Sequence, residues 1–403
     1  MTTQSQEKVQ SKKLPDFQES NPILPRGLSA TRAKWRIKKA MLRGIFQFYK
    51  NPLEVLKLLN VLKDRYAQIF GVKLLSKIAR VDDKYYWRLG APGFPSAASR
   101  RLFISEVKRQ KGTADSPIMQ TIYFAITKKC ALKCEHCFEW DNLNQPETLG
   151  SEDVLAIARK WQDYGVAQII LTGGEPLLRV NDIYRLLEEK NPATDFWIIT
   201  SGLGLNEERA AKLKRLGLTG VMISLEHFEP AAHDKFRGYE GLFEKAVEAI
   251  HFANQAKLVT AISFCATKEF VNENNLDKLM ARAKKLGVAF VQFLDPRAVG
   301  HFKNKDVALS EEQVVLLEKT MIRYNAGKEF AAYPIVEYPA YHQRRVGCLA
   351  SGNRFFYIDT DGDAHICPFC SQKVCSSSQF QAEDTLRLLQ QFDCHAFEKN
   401  SEF

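Results

Sequence analysis

A chain of 403 residues, 45% hydrophobic and 26% charged, has the composition of a soluble globular protein with one large domain and one or two small ones. Its first twenty residues lack the apolar core of a secretory signal, and no run of 18 apolar residues occurs, so a secreted or membrane-spanning chain is not expected and a cytoplasmic one is. The net charge of +10 is uneven: residues 1–110 hold 23 Lys and Arg against 8 Asp and Glu, so a basic N-terminal segment precedes a mildly acidic body.

Residues 1–30 are polar and proline-containing and read as a loose tail. A basic helical region follows over 31–115, with helical periodicity from Thr31 to about Arg80. Trp35, Leu42, Phe46 and Tyr49 share one stripe, ringed by Arg32, Lys34, Arg36, Lys38, Lys39 and Arg43. After Pro52, a second apolar face starts with Leu53, Leu56, Leu59 and Leu62. This region could dock on the body, recruit an acidic partner, or lie through residues 31–50 on a membrane surface. Nucleic acid is not expected as a partner. Residues 91–95, Ala-Pro-Gly-Phe-Pro, read as a loop before the main body.

Strands and helices alternate over 116–330. Buried strands are predicted at 122–126, 168–172, 196–200, 220–225, 258–266 and 288–294. Amphipathic helices are predicted at 152–164, 180–190, 206–216, 241–257 and 272–286, with a last helix at 310–326. Six strand–helix repeats imply an α/β fold with a parallel sheet, open or curled into a partial barrel. The rhythm then ends, and residues 340–403 read as a small cysteine-rich domain. A hairpin is expected there from 355–358 and 364–366, turning through Asp359-Thr360-Asp361-Gly362.

Nine cysteines fall in two bunches with Cys265 alone between them. That odd count, without a secretory signal, disfavours a disulfide framework and favours ligand sets. Cys130, Cys134 and Cys137 follow the first predicted strand, where parallel folds gather their working groups. Three thiolates can each take one iron of a cubane and leave the fourth iron open. Zinc with His136 as fourth ligand is the competing reading. In the second bunch, Cys348, Cys367, Cys370 and Cys375 make four ligands for one further site, an iron–sulfur cluster or structural zinc, and Cys394 is a fifth candidate. Cys265, in an apolar strand, reads as a buried free thiol.

The CxxxCxxC spacing resembles the signature of the radical S-adenosylmethionine superfamily. Thr172-Gly173-Gly174-Glu175-Pro176, closing the second strand, resembles that family's GGEP motif, whose backbone and glutamate receive the methionine ammonium. Ser201 after strand three and Ser224 ending strand four are similar to the family's polar cofactor contacts, although Glu226 stands where relatives often carry Asp. The segment His233-Asp234-Lys235-Phe236-Arg237-Gly238 is similar to the HDxxRG stretch of its peptide-maturing and molybdenum-cofactor branches. There Arg237 would meet the methionine carboxylate, and His136 takes the position beside the adenine. Cys348, thirteen residues, Gly362, four residues and Cys367 resemble the opening of a SPASM or twitch auxiliary-cluster domain.

The resemblance implies a partial (βα)6 TIM-like barrel, S-adenosylmethionine, an active [4Fe-4S] cluster and one auxiliary [4Fe-4S] cluster. It implies an electron donor such as flavodoxin or ferredoxin, and an oxidoreductase that cleaves S-adenosylmethionine to abstract hydrogen from a peptide or protein, with oxidation or crosslinking as the outcome. Alternatives are the same chemistry on a small metabolite, cofactor or tetrapyrrole precursor, and a zinc-stabilised binding protein without catalysis.

Overall fold

The computed structural model describes residues 24–111, 119–370, 372–392, 394, 396 and 397. Most of the expected tail, residues 1–23, lies outside that set. Helix α1 (Gly27–Phe46) starts earlier than Thr31, where the Ser29 hydroxyl accepts from the Arg26 N–H (3.2 Å). Helix α2 (Pro52–Phe70) opens with Asn51 accepting from the Leu53 N–H (2.9 Å), and proline sits at its first position.

Each predicted apolar stripe holds in part and is corrected in part: Leu42 and Tyr49, and Leu59 and Leu62, pack half-buried against Ile45, Val55 and Leu58. The inward residues of α1 are Ala33, Ile37 and Ile45, whereas Trp35 is 60% and Phe46 48% exposed. In α2 Val55 and Leu58 are buried, whereas Leu53 and Leu56 stay exposed. The physical reason is shape: Ala33 and Ile37 fit against Leu75 and Ile78, and Ile45 meets Val55, Leu58 and Val107. A face of smaller side chains seats the helices closely, and the larger Trp35 face is left outside.

Helicity ends at Gly71, which takes φ +67. A hairpin of β1 (Ala79–Val81) and β2 (Lys84–Tyr86) replaces the helix expected to reach Arg80, and α3 (Ala97–Gln110) follows. Ala79, Val81, Tyr86 and Leu89 pack on Ile170, Trp197, Met222, Ala261 and Phe290, which face the inside of the main sheet. Gln168 locks this plug, donating to the Leu89 carbonyl (3.1 Å) and accepting from the Thr121 hydroxyl (3.1 Å).

The body alternates β3 (Thr121–Ala125), α4 (Ser151–Tyr164), β4 (Gln168–Thr172), α5 (Val180–Glu188), β5 (Asp195–Thr200), α6 (Glu207–Arg215) and β6 (Gly220–Ser224). It continues with α7 (Pro230–Arg237), α8 (Leu242–Gln255), β7 (Val259–Cys265), α9 (Glu273–Lys285), β8 (Phe290–Leu294) and α10 (Glu311–Ala326). Then come β9 (Ile335–Glu337), α11 (Pro339–Val346), β10 (Phe355–Ile358), β11 (Asp363–His365), β12 (Lys373–Ser376) and α12 (Ala382–Leu389). All six predicted strands are present, and the parallel run from β3 to β9 forms a partial barrel. Period-two alternation divides the layers. Ile122, Phe124, Leu171, Ile198, Ile223 and Phe264 pack outward under the helices, while Tyr123, Ile170, Trp197 and Met222 point inward.

The C-terminal strands extend that same sheet. β10 pairs parallel with β3, Phe355 opposite Thr121, and β11 and β12 follow antiparallel. The expected 355–358 hairpin is present, turning through Gly362 at φ +79. A shared sheet fixes the second cysteine bunch beside the first. Among the described residues no helix is long and apolar enough to cross a membrane.

Candidate active site

The loop after β3 carries Cys130, Cys134 and Cys137 and is tied down from four directions. The Gly174 N–H donates to the Thr127 carbonyl and the Glu175 N–H to the Lys129 carbonyl, both at 2.8 Å. Asn144 accepts from the Cys130 N–H (3.1 Å) and donates to its carbonyl (3.0 Å). The Lys133 and Glu135 N–H groups bond the Arg237 and Phe236 carbonyls at the end of α7. The His301 N–H reaches the Cys137 carbonyl (2.9 Å), its ring Nδ1 lies 2.9 Å from the Cys134 carbonyl, and Trp140 stacks on that ring at 3.9 Å. A Cβ on Gly174 would strike the Lys129 carbonyl, and one on Gly300 the Cys137 carbonyl. These glycines let neighbouring backbone close on the cysteine loop.

Burial raises the Cys130 thiol to about 11 and the Cys137 thiol to about 12, and raises Cys134 against the pull of Arg237. Among the described residues no three His, Cys, Asp or Glu side chains are drawn tightly enough together for a lone metal ion. The donor set fits a cluster chemically: three free thiols on one loop, mutually interacting and facing a cation, Arg237.

Glu175 is 2% exposed and fully engaged. Its Oε1 accepts from the Leu177 N–H (3.2 Å) and the Thr200 hydroxyl (2.7 Å), and its Oε2 from the Ser201 N–H (2.9 Å) and hydroxyl (2.5 Å). This carboxylate therefore clamps the end of β4 to the end of β5. Thr200, absent from the sequence-derived set, shares the clamp and accepts from the Gly202 N–H (3.0 Å). Gly173, at φ +128, packs on the Thr127 backbone. Ser224 ends β6 on the inward face, in register with Ser263 of β7.

The segment after β6 divides its labour residue by residue. His233 Nδ1 accepts from the Glu226 N–H (3.1 Å). Asp234 caps the next helix, accepting from the Gly241 (2.7 Å) and Phe243 (2.8 Å) N–H groups. Buried Arg237 donates through Nη1 to Glu226 Oε1 (3.3 Å), and Glu226 Oε2 accepts from the Cys265 N–H (2.7 Å). Glu226 is thus the partner that aims Arg237, a role its position alone did not reveal. Burial would lower the Arg237 pKa, but Cys134 and Glu226 outweigh it and raise it; Arg237 Nε remains buried without a partner. His136 lies 3.5 Å from Arg237 Nη1 and against Phe236, and burial, with Arg237 beside it, lowers it to about 3. Its ring is neutral, and its Nδ1 is also buried without a partner. Two unpartnered polar atoms at the mouth fit a polar ligand.

The second bunch gathers differently from its expected set. Cys348 and Cys367 share a cluster with Cys370 and Cys394, and the Cys367 thiol donates to the Cys370 sulfur (3.4 Å). Cys348 lies within reach of Cys394, and burial raises it to about 12. The bond from Cys367, with His365 and Arg297 nearby, lowers Cys370 to about 7. Cys375 does not join them. It sits in β12 opposite Ala364 and packs into the main core against Thr385. The reason is strand parity: adjacent residues face opposite sides of a sheet, and Val374 rather than Cys375 faces the thiol cluster. Cys265 is buried, as expected.

Aromatic contacts join the two thiol sites. Phe138, next to Cys137, touches Phe369 (6.0 Å) between Cys367 and Cys370, and also Tyr357 (5.8 Å). The Tyr357 hydroxyl donates to Glu139, and His365 pairs with Asp359 (2.8 Å) and approaches the Cys370 carbonyl (3.2 Å).

A partial parallel barrel with three thiols after its first strand and a Gly-Gly-Glu turn after its second defines a class of cluster-bearing enzymes. Residues 124–288 match the family model described as the Radical SAM superfamily, so this stretch of the chain is a radical SAM domain. That family implies S-adenosylmethionine and a [4Fe-4S] cluster as cofactors. Fe-coproporphyrin III synthase of Methanosarcina barkeri (strain Fusaro / DSM 804) is 26% identical over 213 residues, 51% of this chain and 53% of that protein. The chain thus spans about half the length of this curated relative. Two solved structures share the fold. Streptococcus suis SuiB bound to its precursor peptide SuiA has a TM-score of 0.56 at 15% identity, over 72% of this chain and 68% of that one. anSMEcpe with bound AdoMet and a Cp18Cys peptide has 0.54 at 17% identity, over 70% of this chain and 85% of that one.

Proposed function

We propose that the chain is a radical oxidoreductase in which Cys130, Cys134 and Cys137 hold a [4Fe-4S] cluster with one open iron and S-adenosylmethionine binds at the ends of β4–β7. Bound together, these groups would supply a radical able to take hydrogen from an unreactive C–H bond. The chain's own residues orient and shield. Glu175 holds Ser201 and the Gly173-Gly174 turn at the mouth, and Ser224 lies beside them on the inward face. Arg237, aimed by Glu226, offers its unpartnered Nε edge to the methionine carboxylate. Neutral His136 and the Phe236 ring form an uncharged wall beside it. Cys348, Cys367, Cys370 and Cys394 would hold an auxiliary [4Fe-4S] cluster, and a flavodoxin or ferredoxin would deliver the electron. The observation that carries the reading is the convergence of three thiols, Cys134 buried and Cys130 and Cys137 half-buried, and an incompletely partnered arginine on one barrel mouth.

For the substrate, a peptide or protein is the first reading. The inward polar side chains near the mouth, Ser224, Ser263 and Gln292, are neutral and suit amide groups. Arg344, beyond the end of β8, is already paired with Asp295 and Glu318. The second reading, a tetrapyrrole-type substrate, is favoured by the 26% identity to Fe-coproporphyrin III synthase. Anaerobically reconstituted protein under strong reductant should release 5′-deoxyadenosine. Mass spectrometry of candidate peptides and iron porphyrinoids, incubated in parallel, then identifies which loses hydrogen. An iron-loaded protein that releases no 5′-deoxyadenosine ends the reading.

A further inference from the structure

Helix α1 leaves its largest apolar side chains in solvent and surrounds them with positive charge. Leu28 (77% exposed), Trp35 (60%) and Phe46 (48%) recur at helical spacing along one outer stripe. Leu53 (67%) and Leu56 (57%) continue the exposed apolar series into the start of α2. The opposite side of α1 is already satisfied by the docked Ala33, Ile37 and Ile45, so the outer stripe is not needed for folding. Across its twenty residues α1 carries six Lys and Arg and no Asp or Glu. Arg32, Lys39 and Arg43 fall along the apolar stripe itself, with the Lys39 ammonium 4.7 Å over the Trp35 ring.

That combination is unlike an ordinary solvated face, where opposite charges alternate and large apolar side chains are sparse. A protein partner with an acidic surface would answer the charge but would ordinarily offer a shaped apolar pocket for each anchor. A sheet of anionic lipid answers both at once: headgroups meet the cations and the acyl boundary takes the tryptophan, phenylalanine and leucines without shape complementarity. Long basic side chains lying along the apolar stripe can reach the headgroups while their stems stay in the boundary. We infer that the outer face of α1 and the start of α2 dock this protein, reversibly, on an anionic membrane surface.

The experiment uses the full chain with vesicles of phosphatidylcholine alone or containing phosphatidylserine. Cosedimentation is expected only with the anionic vesicles, and to weaken steeply as salt is raised. Trp35→Glu with Leu53→Glu should reduce partitioning by at least about tenfold, because each side chain would otherwise leave water. Arg32→Gln, Lys39→Gln and Arg43→Gln together should reduce it roughly a hundredfold. Lipids with brominated acyl chains should quench part of the tryptophan fluorescence, and Trp35→Phe should abolish that part. Unchanged circular dichroism and iron content establish that each variant is folded. The inference is overturned by any of four outcomes: no binding to anionic vesicles at low salt; binding that survives both sets of substitutions; self-association that the Trp35→Glu, Leu53→Glu variant abolishes; or retention by duplex DNA with none by vesicles.

Discussion

Replacing Glu175 with Gln separates two roles that the same residue could play. Each carboxylate oxygen accepts one backbone N–H and one hydroxyl: Leu177 and Thr200 at Oε1, Ser201 twice at Oε2. A hydroxyl can rotate to accept from the new amide, but a backbone N–H cannot. Whichever way the amide is turned, either the Leu177 or the Ser201 N–H loses its acceptor inside a buried site. One stranded donor costs about 1–3 kcal/mol, and the remaining bonds lose their charge assistance. Urea denaturation of cofactor-free protein should therefore show a midpoint shift equivalent to about 1–3 kcal/mol with an unchanged slope. S-adenosylmethionine affinity of the reconstituted variant should fall, as Ser201 and the glycine turn lose their clamp. A variant as stable as the parent but deficient in S-adenosylmethionine binding would refute the clamp and make Glu175 a direct ligand.

Three further outcomes follow from the same geometry. Cys394→Ala should lower iron bound after anaerobic reconstitution by about one cluster's worth, some four atoms, while Cys375→Ala should retain it and lose only about 1 kcal/mol of packing stability. The opposite pattern would restore Cys375 as the ligand. Removing the buried pair together, as Arg237→Met with Glu226→Gln, avoids leaving a lone buried charge. S-adenosylmethionine affinity measured by dialysis should then drop by roughly 10- to 100-fold with iron content unchanged; an unaltered affinity would confine Arg237 to serving Glu226. Burial pulls the His365 pKa down, but its bond to Asp359 outweighs this and leaves it above 6.5. Its charged form therefore stabilises the fold fully below 6.5, and that contribution disappears as pH rises through the elevated folded value. Relative to His365→Gln, the parent should lose stability across that interval, and parallel curves for the two proteins would contradict the pairing.

What could be read from the residues and what could not differ by the range of the interaction involved. The six barrel strands were legible because each is a short apolar run with helical periodicity between, a local signal that the sheet then reinforces. β9 was not: Ile335–Glu337 has three residues and gains its identity only from pairing with β8. The motif residues were legible as a set because they mark strand ends, yet their individual duties were not. Glu175 and Glu226 look alike as single acidic residues after strands. One closes a hydrogen-bond clamp and the other aims an arginine eleven positions later, a distinction made by long-range partners.

The N-terminal helices and the last cysteines show the same limit at higher cost. Helical spacing identified one apolar stripe on α1, the one containing Trp35, because hydrophobicity alone favours the larger side chains. The body selected the smaller ones, because Ala33 and Ile37 admit the close seat against Leu75 and Ile78. Along the second cysteine bunch, nearness in sequence favoured Cys375, five residues from Cys370. A strand reverses its faces at every residue, so Val374 turns to the thiols and Cys375 to Thr385. The fourth sulfur comes instead from Cys394, beyond α12, which no spacing rule links to the other three. Deleting α12 should therefore disable the second site while leaving the three-cysteine loop loaded, and loss of iron from both sites together would show that the shared sheet, not the helix, decides whether either forms.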